Sequence, residues 1–292
     1  MLEEMAPAKL NLTLEVLGNL ENSFHRIRSV AQAINLCDVL RFQPGDGTRI
    51  SCADKYWSAG ESLVSRTIQM LREATGCSRG VSIEVEKSIP LLSGLSGDSS
   101  DAAATLFGLN RLWGLNITRR DLLEMASRLG SDVAFFLYSG TALLEGRGEI
   151  VTPLPACPHL WVVLLLPQIP RKPGKTGRLY GKIGRELHST GSVTDRMTSY
   201  LEQPDKGEMP SLFNVFDGVA SAAFPGLERY RQQFIEAGAL EIHLAGSGPV
   251  LYSLFKDVAR AREVHRRLGD NGHAAYLTDT TVGQKTEGIA EY

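Results

Sequence analysis

The sequence has few cysteines, and none of them is arranged for chemistry. The four, at 37, 52, 77 and 157, form no CxxC pair and no zinc spacing, so reduced thiols in the core are expected. No run approaches the roughly 18 uninterrupted apolar residues of a membrane span. The longest, "LWVVLLLP" from Leu160, fits a buried strand instead. No basic excess exists either: the formal net charge is −2, which removes any global pull toward nucleic acid or an anionic membrane. Internal repeats and low-complexity tracts are also missing. The first ten residues, "MLEEMAPAKL", carry acids where a secretory signal has positive charge, so the expected compartment is the cytoplasm. What remains, with 43% hydrophobic and 22% charged residues over 292 positions, is an ordinary globular composition, enough for one large or two medium domains.

Strand periodicity appears in "AKLNLTLEVLG" (8–18), where Leu10, Leu12, Leu14 and Val16 alternate with polar partners up to a glycine. It returns in "VSIEVEKSIP" (81–90), which Pro90 is expected to stop. Next comes "PLLSGLSGDSSDAA" (90–103), with two glycines, four serines and two aspartates ahead of a helical pattern carrying Leu106, Leu109 and Trp113. A loop between a strand and a helix start presents unpaired N–H groups and the positive helix end, which favour anions. It matches neither the P-loop nor GxGxxG. It is equally read as a glycine turn whose Asp98, Ser99 or Ser100 caps the helix, an effect of about 0.5–2 kcal/mol that needs no ligand.

"TRRDLLEMASRLG" (118–130) predicts a helix with Thr118 and Asp121 as a capping box. Composition shifts near 155, where the boundary between residues 1–155 and 156–292 is placed. Beyond it lie a basic Gly/Pro-rich stretch, two strands over 240–255 joined by the glycine turn "AGSGP", a helix opened by Asp257, and a strand "AAYLTD". That β-β-α-β order predicts an α+β domain, not a doubly wound sheet. Taken singly, Lys9 reads as a surface lysine, Asp132 as an N-cap and "AGSGP" as a tight strand connection.

Together these segments, in order and spacing, resemble the GHMP kinase motifs. "APAKLNLTLEVLG", "FHRI", "IPLLSGLSGDSSDAAATLFGLN", "LGSDVAFFLYSGTALLEGRGEIVTPLP", "FNVFDGVASAAFPGL" and "LAGSGPVLYSLF" resemble, within that superfamily, the 4-diphosphocytidyl-2-C-methyl-D-erythritol kinases. The resemblance implies a two-domain α+β fold, with an N-terminal domain like the second domain of ribosomal protein S5 and a ferredoxin-like C-terminal domain. It implies ATP, with Mg²⁺, as phosphoryl donor and a small-molecule alcohol as acceptor, with no membrane or nucleic-acid partner and a monomer or homodimer. Carried over, its catalytic pair falls on Lys9 and Asp132. Its ATP loop covers Pro90, Leu91, Leu92, Ser93, Gly94, Leu95, Ser96, Gly97, Asp98, Ser99 and Ser100. Its substrate residues fall on Asn11, Phe24, His25, Thr176, Tyr180, Gly246 and Ser247, with Phe24 and Tyr180 stacking on cytosine and His25 reading the base edge. No metal ligand is assigned. Ser96 and Asp98 stand where that family tends to have glycine. Any left-handed position there would be strained, and Asp98 is expected to face solvent or cap the helix in preference to binding metal. The basic run Arg171, Lys172, Lys175, Arg178, Lys182 and Arg185 reads first as a solvated face. The remaining alternatives are a homoserine or mevalonate kinase and a non-catalytic nucleotide-binding module.

Overall fold

The computed structural model describes residues 1–20 and 24–282. Its organising element is a 21-residue strand, β3 (His25–Gly45), preceded by β1 (Leu2–Asn11) and β2 (Thr13–Asn19). Along one edge β3 pairs antiparallel with β2 and then β1. After β4 (Thr48–Cys52), α1 (Leu63–Thr75), β5 (Gly80–Glu86), α2 (Gly97–Leu112), α3 (Arg119–Leu129) and α4 (Val133–Tyr138) come β6 (Thr141–Gly146) and β7 (Ile150–Pro153). Strands β6 and β5 take the other edge of β3, with β4 beside β5 and β7 beside β6. The second half supplies β8 (Trp161–Leu166), α5 (Lys175–Tyr180), α6 (Ser192–Glu202), β9 (Phe213–Asn214), α7 (Ala220–Ala223), α8 (Leu227–Ala237), β10 (His243–Leu244), β11 (Leu251–Phe255), α9 (Val258–Asp270) and β12 (Ala274–Asp279). Its four-stranded antiparallel sheet runs β10-β11-β8-β12. The predicted β-β-α-β order over 240–279 is therefore observed.

Three apolar clusters hold these layers. One joins the first sheet to α1–α4 through residues such as Phe42, Ile83, Leu106 and Phe135. A second joins the other sheet to α8 and α9 through Val163, Leu165, Phe234 and Val264. The third lies between the two halves, where Leu10, Leu12 and Ile34 meet Val162, Leu164 and Tyr252. Strand β8 thus splits by alternation, Val162 and Leu164 to one side and Val163 and Leu165 to the other. Strand β9 adds residues 213–214 to the first sheet, parallel to β2, so the halves share hydrogen bonds as well as apolar surface.

Three local expectations shift for physical reasons. The strand over 8–18 breaks at Leu12, where Val30 N–H donates to the Thr13 hydroxyl instead of a ladder carbonyl (2.9 Å). The strand over 81–90 ends at Glu86, not Pro90. The Ser88 and Ile89 N–H groups turn away to the Asp38 carboxylate at 2.6 and 2.8 Å. Helix α2 starts at Gly97, with Ser96 in the N-cap position, so Asp98 is not the cap. Helix α3 does begin on the expected box, Thr118 accepting from Asp121 N–H at 3.2 Å, and α9 begins on Asp257 accepting from Arg260 N–H at 2.8 Å.

Candidate active site

A register irregularity between Pro7 and Ala8 precedes the stretch of β1 that carries Lys9 and Asn11. Such bulges re-aim the side chains that follow. Beyond it Ala8, Leu10 and Leu12 face the core between the halves, while Lys9 and Asn11 line an open cleft of about 960 Å³. Lys9, only 4% exposed, donates to Asn11 Oδ1 at 2.8 Å, and Asn11 Nδ2 donates to Ser29 Oγ at 2.7 Å. Across the cleft Asp132 occupies the position before α4 without making a cap hydrogen bond. Its Oδ2 lies 3.6 Å from Lys9 Nζ. Two residues 123 positions apart in sequence thus meet in one place, and neither of their plainer readings holds.

The serine-glycine loop forms the adjoining wall. Pro90 through Gly94 and Ser96 through Ser99 line the cleft, whereas Leu95 and Ser100 are buried behind it. Leu95 accepts the Lys9 N–H at 3.1 Å, which ties the loop to β1. The second glycine turn backs the loop. Val250 N–H donates to Ser93 O at 3.2 Å, and a Cβ on Gly94 (φ +94°) would lie 2.0 Å from the Ala245 carbonyl oxygen. The loop ends on the N-terminus of the 16-residue helix α2, whose free N–H groups and dipole favour an anion at this place. Asp98 is exposed at the rim, as one of the sequence expectations has it; the helix-cap expectation fails because Ser96 holds the cap position.

At the far end of the cleft the aromatic residues arrange themselves differently from a simple sandwich. His25 stacks on Tyr180, ring centroids 4.8 Å apart and planes 20° apart, and Tyr180 meets Phe216 edge-on. Phe24 is half-exposed with the Arg147 guanidinium 5.0 Å above its ring. Burial, with a smaller push from His188, lowers the His25 pKa, so the imidazole is held neutral, one nitrogen donating and one accepting. Burial, aided by the charge of Asp132, pushes the Tyr180 phenol upward and keeps its proton on. Thr176 Oγ1 and Ser247 Oγ are hydrogen-bonded at 2.8 Å, and both line the cleft with Gly246.

Two cations in the cleft wall escape sequence reasoning. Lys175 sits in a run that reads as solvated surface, yet it is buried. Its ammonium donates to Ser247 Oγ at 2.8 Å, to Ser247 O at 3.2 Å and to Gly248 O. Burial, then the charge of Lys9, pulls its pKa down to about 8. Lys87 is enclosed between Asp38 (2.5 Å) and Asp101 (2.7 Å), locking the base of the loop to β3 and α2. Only the alternation that turns Lys87 inward after Val85 was available as a signal. Lys175 had none, because nothing in a Pro/Gly/Lys stretch tells which lysine the fold will enclose.

Residues 62–140 match the GHMP kinases N terminal domain and residues 197–274 the GHMP kinases C terminal domain. A 4-diphosphocytidyl-2-C-methyl-D-erythritol kinase of Dehalococcoides mccartyi is 46% identical over 282 residues, covering 96% of this chain and 98% of that protein. Another, of Symbiobacterium thermophilum, is 38% identical over 283 residues, 94% of this chain and 98% of its own. A crystal structure of 4-(cytidine 5'-diphospho)-2C-methyl-D-erythritol kinase superposes with a TM-score of 0.82 at 29% identity, over 97% of this chain and all of that one. The homoserine kinase of Cytophaga hutchinsonii has a TM-score of 0.73 at 21% identity over 97% of this chain and 95% of its own, which speaks for the fold alone. With 46% identity over 96% of its length and both GHMP kinase domains matched, the chain belongs to the 4-diphosphocytidyl-2-C-methyl-D-erythritol kinase family.

Proposed function

We propose that this protein transfers the γ-phosphoryl group of ATP to the 2-hydroxyl of 4-diphosphocytidyl-2-C-methyl-D-erythritol, a cytoplasmic step of non-mevalonate isoprenoid precursor biosynthesis. The observation that carries the mechanism is the convergence of Lys9 and Asp132, 3.6 Å apart, beside a loop that ends on a helix N-terminus. Phosphoryl transfer asks for charge neutralisation on the moving group and an acceptor oxygen held in line. Lys9, held by Asn11, supplies the positive charge. Asp132 orients the alcohol and takes its proton as the new P–O bond forms and the bond to the departing ADP oxygen breaks. In a loose transition state the alcohol becomes acidic late, so a carboxylate serves as final proton acceptor without being a strong base. The loop and the first turn of α2 receive the triphosphate.

Mg²⁺ accompanies ATP and supplies further neutralisation of phosphate charge. The residues present fit it. Mg²⁺ keeps several waters and takes one or two protein oxygens plus phosphate. Ser99, lining the cleft at the start of α2, is the oxygen donor that would hold it.

For the acceptor, Phe24, His25 and Tyr180 gather apolar ring faces and a neutral imidazole at the far end of the cleft, which supports a nucleobase there. Homoserine and mevalonate carry no base for these groups to meet. The test is a substrate panel with ATP, following ADP release and the phosphorylated product. The cytidine-linked alcohol should be consumed and homoserine and mevalonate left. Phosphorylation of homoserine but not the nucleotide alcohol would overturn the assignment, and failure of every alcohol together with retained ATP binding would favour a non-catalytic module.

A further inference from the structure

Ser96 has an unusual backbone and an unusual use for its hydroxyl. Its φ of 59° and ψ of 32° place a non-glycine residue in the left-handed region, where a Cβ crowds the backbone. A serine in an N-cap position ordinarily accepts a hydrogen bond from the first helical turn. Here no side-chain cap bond exists at α2. The Ser96 hydroxyl instead donates to Asp132 Oδ2 at 2.6 Å, across 36 residues of sequence. Conformational strain of this kind persists only where the surroundings impose it, and a hydrogen bond to a charged carboxylate is about twice as strong as a neutral one.

We propose that Ser96 is a positioning residue for phosphoryl transfer: with Lys9 it fixes Asp132 through Oδ2, which reserves Oδ1 for the acceptor hydroxyl. Asp132 has no cap bond to its own helix and its side chain is 35% exposed, so these two contacts are what restrain its rotation. Lys9 alone, at 3.6 Å, is attraction without the direction that a hydrogen bond imposes. Asp132 itself lines the cleft, so the carboxylate held through Oδ2 stands where an acceptor alcohol would enter. This role rests on Asp132 receiving the alcohol proton as set out above, and it makes the serine, at a place where glycine would relieve the backbone, a residue retained for its hydroxyl.

Two variants test it in the full-length protein. Ser96→Gly removes the hydroxyl and the strain together; Ser96→Ala removes the hydroxyl and keeps the strain. Both should lower kcat roughly ten- to hundredfold, the loss expected for a charge-assisted hydrogen bond, with KM for ATP and for the alcohol within about threefold of wild type. Ser96→Gly should melt at the same temperature as wild type or higher, because glycine adopts this φ freely. A purely structural role predicts the reverse, activity retained or improved in the better-relaxed glycine variant. Unchanged kcat in Ser96→Gly refutes the inference while leaving the function standing, and so does a rise in the KM for ATP alone. A wild-type protein that phosphorylates no alcohol refutes both.

Discussion

Replacing Lys9 by methionine separates charge from shape. The methionine retains an apolar stem beside Ala8 and Leu10 and removes only the ammonium that now donates to Asn11 Oδ1 and faces Asp132. Two unit charges about 4 Å apart interact by roughly 4 kcal/mol at an effective dielectric near 20. If that interaction forms with phosphoryl charge only in the transition state, its loss lowers kcat by about a thousandfold. Stability responds far less. Asp132 is 35% exposed, so solvent screens its pairing with Lys9 to roughly 0.2–1 kcal/mol. In a chain of this size the melting temperature then moves by at most about 2–4 °C. The assay is steady-state ADP release at saturating substrates, paired with a melting curve of the same preparation. Lys9→Arg is expected to stay slow, since a planar guanidinium fork does not reproduce the point charge that the ammonium holds between Asn11 Oδ1 and Asp132. A Lys9→Met enzyme within tenfold of wild-type kcat would refute the charge argument outright.

The remaining predictions concern the loop, a partly buried histidine and a buried lysine. Asp98→Gly removes a negative charge from the cleft rim and should lower the KM for ATP severalfold; a higher KM would instead make Asp98 a ligand of the nucleotide's metal. Gly94→Ala forces a Cβ to within 2.0 Å of the Ala245 carbonyl oxygen at φ +94°, so both the melting temperature and ATP affinity should fall; an unchanged protein would mean the two turns are not locked together. His243, though burial opposes its charge, is raised to about 9 by hydrogen bonds to Asp217 and Glu241. Its contribution is complete below its ordinary 6.5 and disappears as pH rises through 9. Denaturant titrations of His243→Gln against wild type should therefore converge at alkaline pH. Lys175 has the opposite sign. Its folded pKa of about 8 lies below the ordinary 10.5, so the charged form is disfavoured in the fold and the penalty is lifted as pH climbs from 8 to 10.5. Lys175→Met should be stabilising at pH 7 relative to its effect at pH 10, and a difference independent of pH would contradict the buried, depressed ammonium.

What the sequence made legible follows the range of the interactions involved. Thr118 with Asp121 and Asp257 with Arg260 are caps settled within one helical turn, and both appear where the residues place them. The 21-residue β3 left no period-2 signal because apolar clusters cover both of its faces: Phe42 and Ala31 face one, Val30 and Ile34 the other. Strand β5 ended early for a reason 50 residues away, the Asp38 carboxylate that draws off two backbone N–H groups. The same limit applies in the cleft. Lys9 and Asp132 are each unremarkable in their own neighbourhoods, and only resemblance paired them before geometry did.

The loop carries this reasoning furthest. Local rules read Ser96 and Asp98 as two equivalent departures from a glycine pattern, each costly for the same reason. The fold treats them oppositely. Asp98 sits within α2 as an exposed residue of the first turn, where a negative charge suits the helix dipole. Ser96 takes the left-handed conformation that glycine would adopt freely and spends its hydroxyl on the Asp132 carboxylate. The backbone of the loop is also held from behind by the second glycine turn and from the side by the Lys9 N–H. A loop so constrained tolerates a strained serine because the strain is supported on three sides, and the chemistry then decides which side chain the strained position keeps.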